Sequence, residues 1–199
     1  PGGGWTLSGT APDGRGPAIE ASADRLEVRQ VRGAWFVSFE PAGGRETWTF
    51  TLPTDPLLAL SATMNAGNAR YDLAGAHLSS ISMTVNAGSV TADLSGATVD
   101  SMSATLNAGS MKVALPAASA SGSFTVNAGS LGLCVPPGAG LRISANDTFL
   151  ASNNFAERGL TKSGSTWTTA GFDAAATKIE LSATANLGRI ELDPEGGCR

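Results

Sequence analysis

Asn-Ala-Gly occurs four times in this 199-residue chain, beginning at Asn65, Asn86, Asn107 and Asn127, and spacings of 21, 21 and 20 residues leave few ways to fold it. Each copy sits in a longer frame, SATMNAGN, SMTVNAGS, SATLNAGS and SFTVNAGS, and SATANLGR from Ser182 reads as a decayed fifth. A repeat this short cannot bury an apolar face by itself, so the units must stack and share a core. Within each frame the polarity alternates with the two-residue period of a strand. Ala62 and Met64, Met83 and Val85, Ala104 and Leu106, and Phe124 and Val126 point one way, and Ser and Thr point the other. Beyond each glycine the alternation resumes out of phase, as Ala69, Tyr71, Leu73, then Val90, Ala92, Leu94, then Met111, Val113, Leu115, then Leu131, Leu133, Val135. One extra residue beside a glycine lets a strand turn a corner without losing its buried face. The pattern predicts an all-β, single-domain β-solenoid, β-helix-like, with coils of about 20–21 residues and little or no helix.

The register extends in both directions. Leu52 lies 21 residues before Leu73, so an earlier coil is expected from Trp48, Phe50 and Leu52. Asn146 follows Asn127 by 19 residues and Asn186 follows Asn146 by 40, which predicts about two further coils. The segment Ala18–Glu40 alternates less regularly and is expected to supply opening strands and a cap over the first coil edge. Nine of the first seventeen residues are Gly or Pro, a composition of linkers. The expected organisation is a linker over 1–17, the solenoid domain over 18–193 and a tail over 194–199. A chain beginning at Pro1 reads as the product of upstream removal.

Composition narrows the function classes. Thirteen Lys and Arg against seventeen Asp and Glu give a net charge of −4, the wrong sign for neutralising phosphates, so no nucleic-acid partner is expected. A hydrophobic content of 42% suffices for a core, and no apolar run is long enough for a direct membrane span in this chain.

The outward positions form the candidate binding face: Ser61, Thr63, Asn65; Ser82, Thr84, Asn86; Ser103, Thr105, Asn107; Ser123, Thr125, Asn127, with Ser182, Thr184 and Asn186 in the decayed frame. Such an uncharged hydroxyl and amide array suits an ordered surface such as ice, or a glycan. The same residues also have a structural explanation. Asn tolerates left-handed backbone at a corner and can form a hydrogen-bonded ladder from coil to coil, and short polar residues are what an exposed solenoid wall accepts. Asp72 and Asp93 share a coil position, a like-charge pairing that Arg70 and Lys112 on the same wall would offset. His77, the single histidine, stands in a Leu-Ser-Ser context with no carboxylate nearby and reads as a solvated loop residue. No catalytic constellation, metal-ligand spacing or phosphate-cradling glycine loop appears, so neither enzyme activity nor a cofactor is expected. Cys134 and Cys198 are either a single disulfide or two unrelated thiols. A bridge would imply an oxidising, extracytoplasmic location, but three intervening coils would set the two regions roughly 14 Å apart.

The Asn-Ala-Gly-Ser corners, the segment LCVPPGAGLRI at Leu133–Ile143 and the closing GLTKSGSTWTTAGFDAAATKIELSATANLGRIEL at Gly159–Leu192 resemble the bacterial adhesin-type, or toastrack, domain. The same domain ends cell-wall-active antibiotics response proteins and some phage-shock-type membrane proteins. The resemblance covers about residues 18–193 and implies a β-solenoid-like stack tethered to the membrane by preceding helices, with a role in envelope-stress signalling or surface interaction. It transfers no catalytic residues. The resulting expectation is a non-enzymatic, extracytoplasmic interaction or sensory domain with a protein partner in the envelope. The alternative is a secreted binder of ice or polysaccharide. Either an end-to-end dimer or a cap would satisfy the solenoid ends, so the oligomeric state stays open.

The register makes a direct claim about the core. Leu94→Asp would put an unpaired charge between coils, at an expected cost above about 4 kcal/mol. Loss of the cooperative melt by circular dichroism is the expected outcome; a soluble, cooperatively melting variant would overturn the register.

Overall fold

The computed structural model describes residues 6–10, 18–21, 26–29, 47–51, 57–147 and 151–198. The chain divides into two compact units, Pro1–Pro53 and Thr54–Arg199. In the first, β1 (Thr6–Thr10) pairs antiparallel with β4 (Thr47–Thr51), and β2 (Ala18–Ala21) pairs antiparallel with β3 (Leu26–Arg29). Two expectations change here. Thr6–Thr10 is a strand within the stretch read as a linker, and the segment holding Trp48 and Phe50 pairs with β1 rather than joining the parallel stack. Leu52, and most of the cap expected over 18–40, lie outside the described residues.

The second unit is the stack. Its first three coils are β5 (Leu57–Met64) with β6 (Asn68–Asp72), β7 (His77–Val85) with β8 (Ser89–Asp93), and β9 (Thr98–Leu106) with β10 (Ser110–Ala114); β11 (Ala120–Cys134) runs through the next corner without a break. One wall is the parallel series β5, β7, β9, β11, and the other is β6, β8, β10, β11. The 21-residue spacing becomes the register: Ser82 lies opposite both Ser61 and Ser103. Alternation delivers Ile81, Met83 and Val85, then Val90, Ala92 and Leu94, to the interior, each below 5% exposed. The odd step from Val85 to Val90 is the phase slip anticipated at the corner. Full burial of each Leu, Ile or Val contributes about 1.5–3 kcal/mol, which is why the pattern holds in every coil.

Glycine, and not asparagine, makes the corner. Gly67, Gly88, Gly109 and Gly129 have φ between 113° and 125°, whereas among the described residues the single non-glycine with positive φ is Asp193. A Cβ on Gly109 would overlap the carbonyl oxygen of Gly88, and one on Gly129 that of Gly109. Successive corners therefore approach more closely than any side chain permits.

The remaining strands are β12 (Gly140–Asp147), β13 (Ala151–Asn153), β14 (Leu160–Ser163), β15 (Thr166–Thr169) and β16 (Lys178–Leu192), with a 3-10 turn at Phe172–Ala174. They do not continue in sequence order. β16 lies between β11 and β12, parallel to both, with Thr184 opposite Thr125 on one side and Asn146 on the other. The prediction that Asn186 sits two coils beyond Asn146 is thus corrected: Asn186 is the direct neighbour of Asn127. β15 and β14 then add antiparallel to β12, where Trp167 meets Phe155 edge-on with ring centroids 5.7 Å apart and Lys162 lies 5.2 Å above the indole. A lysine on the last strand suits an edge that must not recruit another chain.

The inserted strand also resolves the cysteine geometry. Leu192 pairs with Leu133, so the tail starts one strand away from Cys134 rather than three coils away. Cys134 and Cys198 are joined by a disulfide with Cα atoms 5.9 Å apart.

Gly109→Ala tests the corner. Both the positive φ and the collision with Gly88 oppose it, and a loss of about 2–4 kcal/mol is expected in urea unfolding. A loss under about 1 kcal/mol, the cost of φ alone, would show that the close approach is unnecessary.

Candidate binding face

The wall formed by β5, β7, β9, β11, β16 and β12 carries the hydroxyl and amide array, and register aligns it into ranks. Ser61, Ser82, Ser103, Ser123, Ser182 and Ser144 form one rank across six strands. Thr63, Thr84, Thr105, Thr125 and Thr184 form the next, ended by Asn146. Neighbours within a rank stand about 4.8 Å apart, the spacing of hydrogen-bonded strands. Every residue predicted for this face lies on it and is exposed or half-buried.

The ranks differ in what their side chains do. At the corner, the Asn86 amide donates to Asn65 Oδ1 (2.8 Å), Asn107 to Asn86 (2.7 Å), Asn127 to Asn107 (2.7 Å) and Asn186 to Asn127 (2.8 Å). This ladder occupies the asparagines structurally. By contrast, the hydroxyls of Ser82, Thr84, Ser103, Thr105, Ser123 and Thr125 make no hydrogen bond among the described residues. They are available, as both donors and acceptors, to anything laid against the wall. A third set is again tied down: Ser79, Ser101 and Ser121 donate to carbonyls of the preceding coil at 3.2, 3.3 and 3.2 Å.

Side chains that attracted chemical readings have local roles. Asp72 Oδ1 accepts from the Ala74 N–H (3.3 Å), and Asp93 Oδ1 accepts from the Ser95 N–H (3.1 Å) and hydroxyl (2.6 Å). These carboxylates close the two-residue returns between coils, an Asx-turn role that explains a like-charge pair without a cation between them. Arg70 and Lys112 do lie on the same wall, as expected from their register through Thr91. His77 is the first residue of β7 rather than a loop residue, and its Nδ1 is 2.8 Å from the Thr98 hydroxyl opposite it. Burial pushes the Tyr71 phenol above its ordinary pKa, away from any role as a base at neutral pH. Among the described residues no three His, Cys, Asp or Glu side chains converge as a metal site would need.

One feature of the face is invisible to the repeat spacing. Across β9, β11, β16 and β12, a shallow open groove runs between Ser101 and Ser121 on one side and Ser123, Ser182 and Ser144 on the other. Arg142 closes its end. The guanidinium stacks 4.0 Å from the Phe172 ring centroid and makes ion pairs with Asp173 (3.6 Å) and Glu180 (3.7 Å). The signal that could have found this pairing is the match of Leu141-Arg-Ile-Ser-Ala145 to Ile179-Glu-Leu-Ser-Ala183, five residues in register.

With the geometry in place, the comparisons with known proteins are specific. Residues 19–115 match the family model Toast_rack_N, the N-terminal domain of toast_rack, DUF2154. The chain carries a toastrack-type domain. The fold is shared with a crystal structure of a "putative cell adhesion protein" from Clostridium sporogenes ATCC 15579, at a TM-score of 0.53 and 14% identity, covering 88% of this chain and 74% of that one. At that identity the likeness is one of fold. No curated protein matches the chain. Among the described residues no helix is long and apolar enough to cross a membrane.

Asn107→Ala separates ladder from face. Asn107 both donates and accepts in the ladder, so the substitution should cost about 1–2 kcal/mol in thermal or urea unfolding. Thr105→Ala, one rank away, should cost under about 0.5 kcal/mol. Equal costs would show that the ladder contributes nothing beyond the strand pairing.

Proposed function

We propose that the toastrack-type domain of this chain is a non-enzymatic interaction module on the outer side of a bacterial envelope, tethered there by sequence upstream of Pro1, and that it meets its partner through the Ser and Thr ranks. The observation carrying this reading is the division of labour on one wall: the asparagines are consumed by the ladder, while the adjacent hydroxyls are regularly spaced and unengaged among the described residues. Rigid, pre-organised groups lose little freedom when bound, which favours weak, repeated contacts over a large flat area. The Cys134–Cys198 disulfide supports placement in an oxidising compartment. The cell-adhesion description of the structural neighbour, and the envelope-stress role that the resemblance of the sequence implies, support a surface or sensory task.

A second reading, a secreted binder of ice or polysaccharide, is favoured by the same regular ranks, since a periodic ligand can match five or six hydroxyls at one spacing. The two differ in what precedes Pro1, transmembrane helices in the first case and a signal peptide in the second.

Thr84→Tyr together with Thr105→Tyr would raise bulk in the middle of the array while leaving the interior untouched. Co-sedimentation with bacterial envelope sheets and with polysaccharide particles, together with thermal hysteresis for ice, should show binding of the parent chain to one of these. At least a tenfold loss in the double variant, with the far-ultraviolet spectrum retained, is expected. Unchanged binding would remove the array as the contact surface.

A further inference from the structure

β16 is the last strand of the chain, yet it occupies an interior place in the sheet. β12 pairs with β16 and β15 and not with β11, and β13 also pairs with β16. Among the described strands, β12–β15 therefore join the coil stack through β16. If that strand leaves, the whole C-terminal section loses its ladder to the coils.

The end of this strand is fastened. Leu192 pairs with Leu133, Asp193 turns at φ 44°, and Gly196 and Gly197, at φ 82° and 66°, fold the tail back across the wall. Pro194 then packs where a side chain on Gly132 would lie, Gly197 N–H donates to the Pro194 carbonyl (2.9 Å), and Cys198 is buried at 2% exposure. Ala114, in the coil position held by Asp72 and Asp93, is only 6% exposed. Cys134, half-buried, closes the arrangement with a bond that spans 64 residues of sequence.

We propose that the Cys134–Cys198 disulfide is a redox-sensitive clasp on β16, which couples the docking of β12–β15 to the oxidation state of the surroundings. The reductant is a dithiol. One of its thiolates attacks Sγ of Cys134, the more exposed half-cystine; the sulfur–sulfur bond breaks, and Cys198 departs as a thiolate that takes a proton from water. The second thiol of the reductant resolves the mixed disulfide, leaving two protein thiols and one oxidised reductant, a transfer of two electrons and two protons. Non-covalent bonds remain: Asp193 N–H to the Leu133 carbonyl (2.8 Å), Val135 N–H to Asp193 Oδ1 (2.9 Å), and both bonds between Asn154 and the Leu192 backbone (2.9 and 2.8 Å). Reduction thus lowers the cost of opening β16 without expelling it. Because the section hangs on that strand, β16 and β12 open as one unit.

Hydrogen exchange by mass spectrometry on the full chain tests this, comparing the oxidised protein, the dithiothreitol-treated protein and the Cys134→Ser/Cys198→Ser variant. Residues 178–192 and 140–147 should exchange at least about tenfold faster in both bridge-free forms, by a common factor, while 77–114 stay unchanged. Three results would overturn the proposal: faster exchange confined to residues 193–198, which is fraying of the tail; equal acceleration over 77–114, which is general loss of stability; or alkylation of two free thiols in the air-oxidised protein, which removes the clasp altogether.

Discussion

A contact between backbones at the corners governs this structure. Gly88, Gly109 and Gly129 each lie against the carbonyl of the corner glycine one coil earlier, so closely that a methyl group could not be inserted, and they do so with φ of 114° to 125°. Only glycine meets both demands. Once that position is fixed, the rest of each coil has no freedom of register: residues 21 apart must face each other, apolar side chains must fall in line inside, and polar ones must fall in line outside. A slip of one residue would bring Thr84 to the core and Val85 to water.

Alignment of this kind gives identical side chains a role that isolated ones lack. Five asparagines stacked at strand spacing form a continuous amide ladder, in which Asn86, Asn107 and Asn127 each donate to one neighbour and accept from the next, Asn65 accepts and Asn186 donates. Each bond is worth little by itself, about 1 kcal/mol, but the ladder resists shear between coils along its whole length. The serine and threonine hydroxyls four and two residues earlier receive the same spacing with no hydrogen-bond partner among the described residues. A rigid, repetitive array of hydroxyls follows from the requirements of stacking. The Asp72 and Asp93 carboxylates lie at the returns, where they satisfy backbone N–H groups.

Much of this was legible because a repeat reports its own geometry. The inward residues, the phase slip at Gly-Ser and the composition of the face all followed from spacing and alternation, since both are local and the same in each coil. The asparagines were legible as a ladder but not as the conformationally special residue, because Asn and Gly are adjacent and only φ distinguishes which one turns the chain. Trp48 and Phe50 matched the 21-residue spacing yet belong to a strand paired with Thr6–Thr10. Spacing identifies candidates for a register; hydrogen-bond partners select among them.

By itself the sequence determined the coil, its length, its interior and its hydroxyl face, because each of these rests on residues within about twenty positions of one another. The order of the last coils was decided by the tertiary structure. Nothing local forbids β12 from lying next to β11, and β16 takes that place with a SATAN frame that repeats the Ser, Thr and Asn of the SFTVN frame, including the asparagine that extends the ladder. That choice brings Arg142 to Glu180 and Cys198 to Cys134, pairs 38 and 64 residues apart, which no periodicity of 21 could bring together.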